Sequence, residues 1–312
     1  MHRAFLEYLA AADICDRFAA HDITAEDLSG VFTRHWADPA WHEVLVLIAG
    51  MIPSRFTGTV ISALLQADAA WPLRTRALPA HLLLALRCLG EARKPGEVAA
   101  QSRAVAAELI LLLNAWGADE FFNETSPDVI RTFASGALTV LARLGPHWAG
   151  RRIFEDWYLA SGQFIPGDFS GSGASYTAAR MYFALLGQVP QTSHAIIRWH
   201  AEQSTARDVR RAAVEAVAAG WRDDPGTLGL LRDRAVTDLS DYVRRAAVGA
   251  VAAGWRDDPA TLALLHDRAT ADQHEYVRQA ATEALAAGRQ DDLEPQMLLR
   301  DRASTDPLAS LF

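Results

Sequence analysis

The sequence predicts an all-α protein: an irregular helical block followed by an α-solenoid built from 34-residue helix–turn–helix repeats. Three observations predict it. Alanine, the strongest helix former, fills 59 of the 312 positions. Apolar residues recur at helical spacing along much of the chain, and no stretch shows sustained period-two alternation. The C-terminal third also repeats itself. Residues 209–242 and 243–276 are identical at 25 of 34 positions, and a decaying third copy opens at Val277.

In the first 160 residues each element has its own punctuation. Asp38 and Pro39 read as the N-cap and first turn of a helix that carries Trp41, Leu45, Ile48 and Ile52 on one face. The runs ending at Gly90, Gly117 and Gly145 are amphipathic and stop at glycine. RRIFEDWYLASG is a further helix, and the glycine-rich 161–176 reads as a linker. The repeats then occupy 177–312, because IIRWHA at 196–201 lies one period before LLRDRA at 230–235.

Each repeat is two helices. The second begins at Val-Arg-Arg-Ala-Ala, with Val209, Ala213, Ala216 and Val217 forming the buried stripe. Gly220, Gly254 and Gly288 follow, where a left-handed C′ residue is expected. Asp224 and Asp258 then cap the next helix, with Pro225 and Pro259 at its first position. Leu228, Leu231 and Ala235 continue the core. Arg210, Arg244 and Arg278 follow the core valines, with Asp208, Asp241 and Glu275 just before them. They read as an inter-repeat ladder to loop carboxylates and carbonyls, a task for which a planar guanidinium is better suited than an ammonium.

The pattern Asp-x-x-Val-Arg-x-x-Ala-x-x-Ala-[Leu/Val] over about 177–306 resembles the short HEAT repeat, also called the phycobilin-lyase-type HEAT-like repeat. The resemblance implies a binding scaffold. A second resemblance covers residues 1–52. HRAFLEYLAA is similar to the end of the winged helix of NACHT-type STAND NTPases, and HWADPAWHEVLVLIAGMI to the segment that follows it in bacterial members. It implies a C-terminal portion of such a protein. There the region is a sensor that holds the ATPase inactive, with roles in bacterial signalling and immunity. The residue matching His2 contacts bound ADP in that family. In this chain the role is carried over only as a relic, because no G-x-x-x-x-G-K-[Ser/Thr] loop is present.

Chemistry finds little footing, and no catalytic residue, cofactor or metal site is assigned. His42-Glu43 lacks the second histidine of a zinc helix, since position 46 is Val46. Gly171 and Gly173 lack a preceding strand and a third glycine. The Asp pairs at 223/224, 257/258 and 291/292 recur as caps, one period apart, rather than as a calcium cage. Trp221 and Trp255 cover the repeat edge. Two cysteines, Cys15 and Cys88, read as reduced core thiols of a cytoplasmic protein. Arg3, Glu7 and Asp13 interrupt any signal-peptide core, and the longest uncharged apolar run, 109–118, is too short to span a bilayer.

A net charge of −8, with 30 basic against 38 acidic residues, argues against a nucleic-acid partner. The expected partner is a protein, or the ATPase core of a parent NTPase. Its expected contact is the outward face of the second helices, at Arg211, Val214 and Glu215, Arg245, Val248 and Gly249, and Gln279, Thr282 and Glu283. Within it Arg211, Glu215, Arg245, Gln279 and Glu283 are the candidate site residues. A free-standing HEAT-repeat adaptor and a phycobilin-lyase-type enzyme are the alternatives.

Overall fold

Caps, prolines and apolar stripes resolve into fifteen helices in a computed structural model, which describes residues 3–67, 78–119, 126–146, 148–162, 174–187 and 190–287. Among the described residues there is no strand. The chain forms two compact units, Met1–Ser193 and His194–Phe312.

The first unit contains α1 (Arg3–Ala19), α2 (Ala25–His35), α3 (His42–Met51), α4 (Ser54–Leu65), α5 (Ala80–Gly90), α6 (Ala99–Asp119), α7 (Pro127–Leu144), α8 (Arg151–Trp157) and α9 (Ala174–Leu186). A 3₁₀ turn, Pro95–Val98, leads into α6, and a π turn, Tyr158–Gly162, follows α8. The packing is more regular than the sequence. α1, α3, α5, α7 and α9 stack in succession as one layer, and α2, α4, α6 and α8 stack as the other. Trp116, Phe133, Phe154 and Tyr158 are fully buried between them. α9 packs on α6 and α7. The two units divide at 193/194, and 163–173 of the expected linker lie outside the described residues.

Local signals explain most helix ends. Thr24 and Asp27 form a reciprocal capping box at the start of α2. Ser126 caps α7, and Gly145, at φ +76°, ends it. Asp38 differs from expectation. It accepts the Ala40 N–H at 2.9 Å within a turn, so α3 starts only at His42. α1 ends in a Schellman arrangement: the Asp22 N–H donates to the Arg17 carbonyl at 2.9 Å and the His21 N–H to that of Phe18 at 3.2 Å. His21 occupies the left-handed position at φ +66°, where a Cβ is strained. His21→Gly is expected to raise stability by about 1 kcal/mol, read as an increased midpoint in urea.

α6 and the turn before it, Pro95–Gly117, are long and apolar enough to cross a membrane by length and composition. Here Val105, Leu109, Leu112, Leu113 and Trp116 are core residues, packed against α4, α5, α8 and α9.

The second unit holds most of α10 (Pro190–Gln203), then α11 (Arg207–Gly220), α12 (Pro225–Thr237), α13 (Asp241–Gly254), α14 (Pro259–Ala271) and α15 (275–287). Asp224 and Asp258 cap α12 and α14 as expected, accepting the Gly226 and Ala260 N–H at 2.8 Å. α13 packs against both α11 and α12. Gly220 and Gly254 are not left-handed; each is the last helical residue, and the next amide, from Trp221 or Trp255, still closes onto the Val217 or Val251 carbonyl. The chain leaves the helix at the tryptophan, at φ −135° and −136°, so no C′ glycine is required. Gly288, Arg289, Asp291 and Asp292 lie outside the described residues.

Candidate interaction surface

The second helices present a narrower outward ridge than their wheel suggests. Val209, Ala213 and Val217 are buried as expected, but Val214 and Val248 are fully buried too. An inner helix of a stacked array meets its own hairpin partner on one flank and the next repeat's second helix on the other. Its apolar arc is therefore wider than the stripe of a surface helix. The expected exposed valines are core residues, and the candidate face loses its apolar component.

What remains outward is polar. On α11 the half-buried Arg211 and Glu215 pair at 3.3 Å. On α15 the exposed Gln279 amide donates to Glu283 at 2.8 Å, while Thr282 bonds back to the Arg278 carbonyl. Arg245 on α13 is exposed and faces Gly249 at i+4, where its neighbours carry glutamates. A Cβ on Gly249 would meet nothing within 4 Å. Arg245 is thus the ridge cation without an acid four residues on. His2 lies outside the described residues.

Beneath the ridge is the arginine ladder. Arg210 donates to both carboxylate oxygens of Asp238 at 2.9 and 2.8 Å, and Arg244 to both of Asp272 at 2.9 Å. Each guanidinium also reaches back to two loop carbonyls: Ser204 and Thr205 for Arg210, Asp238 and Leu239 for Arg244, Asp272 and Gln273 for Arg278. The carboxylates are Asp238 and Asp272, 28 residues on, in the inter-helix loop of the following repeat. Burial alone pushes the Asp272 carboxyl up. The bonds from Arg244 and the His274 amide, with the charges of Arg244 and Arg268, more than offset this and hold it below the usual carboxylate range.

At the repeat edges His194 stacks on Trp221 at 4.9 Å, and the Arg222 guanidinium lies 5.9 Å over Trp255. Arg222 also donates to the Gly254 carbonyl. Both tryptophans are half-buried covers, as expected. The opposite edge carries a feature that sequence reasoning misses. Leu239 is 97% exposed, and Tyr242 and Tyr276 are exposed as well. Its one sequence signal is the recurrence of tyrosine at 242 and 276, one period apart.

Among the described residues no group of three His, Cys, Asp or Glu could hold a metal. His42 turns its Nε2 to the Trp36 carbonyl at 2.7 Å, a structural contact. Burial pushes the Cys88 thiol up to about 12, well away from a nucleophilic thiolate.

Residues 195–286 match the HEAT repeats family. That span is the second unit's described helices almost from end to end, and the architecture is a HEAT-like α-solenoid. No curated protein and no solved structure matches the chain.

Proposed function

We propose that the chain is a non-catalytic, cytoplasmic scaffold for protein interaction, acting as the C-terminal sensing and autoinhibitory region of a NACHT-type STAND NTPase. HEAT repeats bind proteins along their stacked helices, and the ridge described above offers such a surface. The finer reading rests on α1. This helix carries the winged-helix-like motif from Arg3 onward, and it leaves Phe5, Leu6, Tyr8 and Leu9 about half exposed. A terminal helix of an array normally turns a polar face outward. Four large apolar side chains on consecutive turns form a surface suited to cover by a further domain.

The test is co-expression with the ATPase segment encoded in frame just upstream. A stable complex is expected, and Leu6→Glu with Leu9→Glu should dissolve it. A coding sequence with no upstream P-loop overturns the NTPase reading and leaves the free-standing adaptor.

The ridge of Arg211, Glu215, Arg245, Gln279 and Glu283 is the proposed contact for the trigger or the resting ATPase. Arg211→Glu with Arg245→Glu should abolish that contact and leave the melting temperature nearly unchanged. Arg245→Glu alone should account for most of the loss, because Arg211 is already engaged by Glu215. Unaltered binding by the folded double variant would place the contact elsewhere.

A further inference from the structure

A second site is present in the first unit, between the end of α1, the start of α2 and the α3–α4 corner. There a cavity of about 390 Å³ opens to the surface, a size in the range of small-molecule pockets. Its walls are mostly apolar, with Phe18, Ile23, Met51, Ile52 and Phe56 beside the polar His21 and Thr24, and Phe18 and Phe56 edge-to-face at 4.9 Å. At the rim lies Arg55, its guanidinium held 4.7 Å over the Phe56 ring. No carboxylate lines the cavity, and among the described residues Arg55 makes no ion pair. Of the two acids in the first turn of α2, Asp27 is taken up by the Thr24 amide and hydroxyl at 2.9 and 2.7 Å. Cys15 adds no negative charge: burial, and then the nearby Asp16, push its thiol up to about 11.

An apolar cavity with one unpaired guanidinium at its mouth selects a particular ligand shape. We propose that it binds a free medium-chain carboxylate, the tail against Phe18, Ile23 and Met51 and the carboxylate on Arg55. A guanidinium seated on an aromatic ring keeps its N–H edge available, and that edge matches a carboxylate with two parallel hydrogen bonds. The site is separate from the repeat ridge and does not depend on the ATPase reading.

Titration calorimetry of the full chain with sodium hexanoate, sodium octanoate and 1-octanol tests it. Affinity should rise about fourfold for each added methylene. Octanoate should bind at least about tenfold more tightly than octanol, the usual worth of a charge-assisted bond. Arg55→Gln should erase that preference without unfolding the chain, since Arg55 is exposed. Cys15 gives the location. Octanoate should slow its labelling by N-ethylmaleimide, read by mass spectrometry, with the fully buried Cys88 as internal reference. Ala19→Trp, which fills the cavity without altering charge, should abolish binding. Equal affinity for octanol, no octanoate binding at millimolar concentration, or full binding by Ala19→Trp would each overturn the proposal.

Discussion

Asp272→Ala is expected to lower the unfolding free energy by about 3 kcal/mol, one of the largest single losses in the second unit. The carboxylate is 1% exposed and receives both arms of Arg244, at 2.9 Å each. Arg268 approaches it at 3.3 Å, and the His274 amide donates to it at 2.9 Å. Removing it leaves the Arg244 guanidinium, only 13% exposed, without its bidentate carboxylate, and Arg268, equally buried, with Asp267 alone. The penalty is the desolvation of unpaired charge more than the loss of attraction. An exposed pair makes the control. Arg152 and Asp156 sit 3.6 Å apart with side chains 89% and 69% exposed, so Arg152→Ala should change stability by less than about 0.5 kcal/mol. The sign of the pH dependence follows from the lowered carboxyl of Asp272. Its stabilisation is fully present above the ordinary value of 3.8 and is lost as the pH falls through the lower, folded value. Urea melts at neutral pH and near pH 3 should therefore bring wild type and variant closer together in acid. A constant gap across that range would mean that the charge on Asp272 is not what holds the loop.

The ladder also shows what a single sequence exposes and what it hides. The arginines are legible because they recur every 34 residues behind a core valine. Their carboxylates are not, because a side chain on a second helix reaches into the next repeat, 28 positions away. The acids adjacent in sequence are the more conspicuous candidates. The ladder ends where the register loses its residues: Tyr176 stands one period before Arg210, and Ser204 one period before Asp238. Capping is readable at Asp224 and Asp258, since a cap acts over two or three residues. Burial of Val214 and Val248 is not, since it depends on how many neighbours an inner helix has. The two-layer stacking of α1 to α9 is equally hidden. Those helices share a packing geometry without sharing a sequence period, and stacking requires only apolar faces of suitable width. The cavity beside Arg55 gives no sequence signal either. Its walls come from four helices, and no spacing rule joins Phe18, Met51 and Phe56.

Gly150→Ala is expected to cost about 2 to 3 kcal/mol, although it adds a single methyl group. A Cβ at this position would lie 2.5 Å from the Ser102 carbonyl oxygen and 2.6 to 2.7 Å from the indole of Trp148. Neither neighbour can yield easily. The Ser102 oxygen belongs to the backbone of α6, and Trp148 is buried. The N-terminal end of α8 would have to lift off α6, taking the fully buried Phe154 with it. The same substitution should have the opposite sign at Gly229. That glycine lies within α12, and a Cβ there meets nothing within 4 Å. The following repeat already carries alanine at the equivalent position, Ala263. Gly229→Ala should therefore stabilise by about 0.5 to 1 kcal/mol, the helix propensity difference alone. Thermal and urea melts of the two variants separate the causes. If both substitutions shift the midpoint in the same direction, backbone entropy dominates at both sites and the contact between α6 and α8 is looser than its geometry indicates. Opposite shifts, with the larger loss at Gly150, identify the approach of α8 to the Ser102 carbonyl as the constraint that requires glycine.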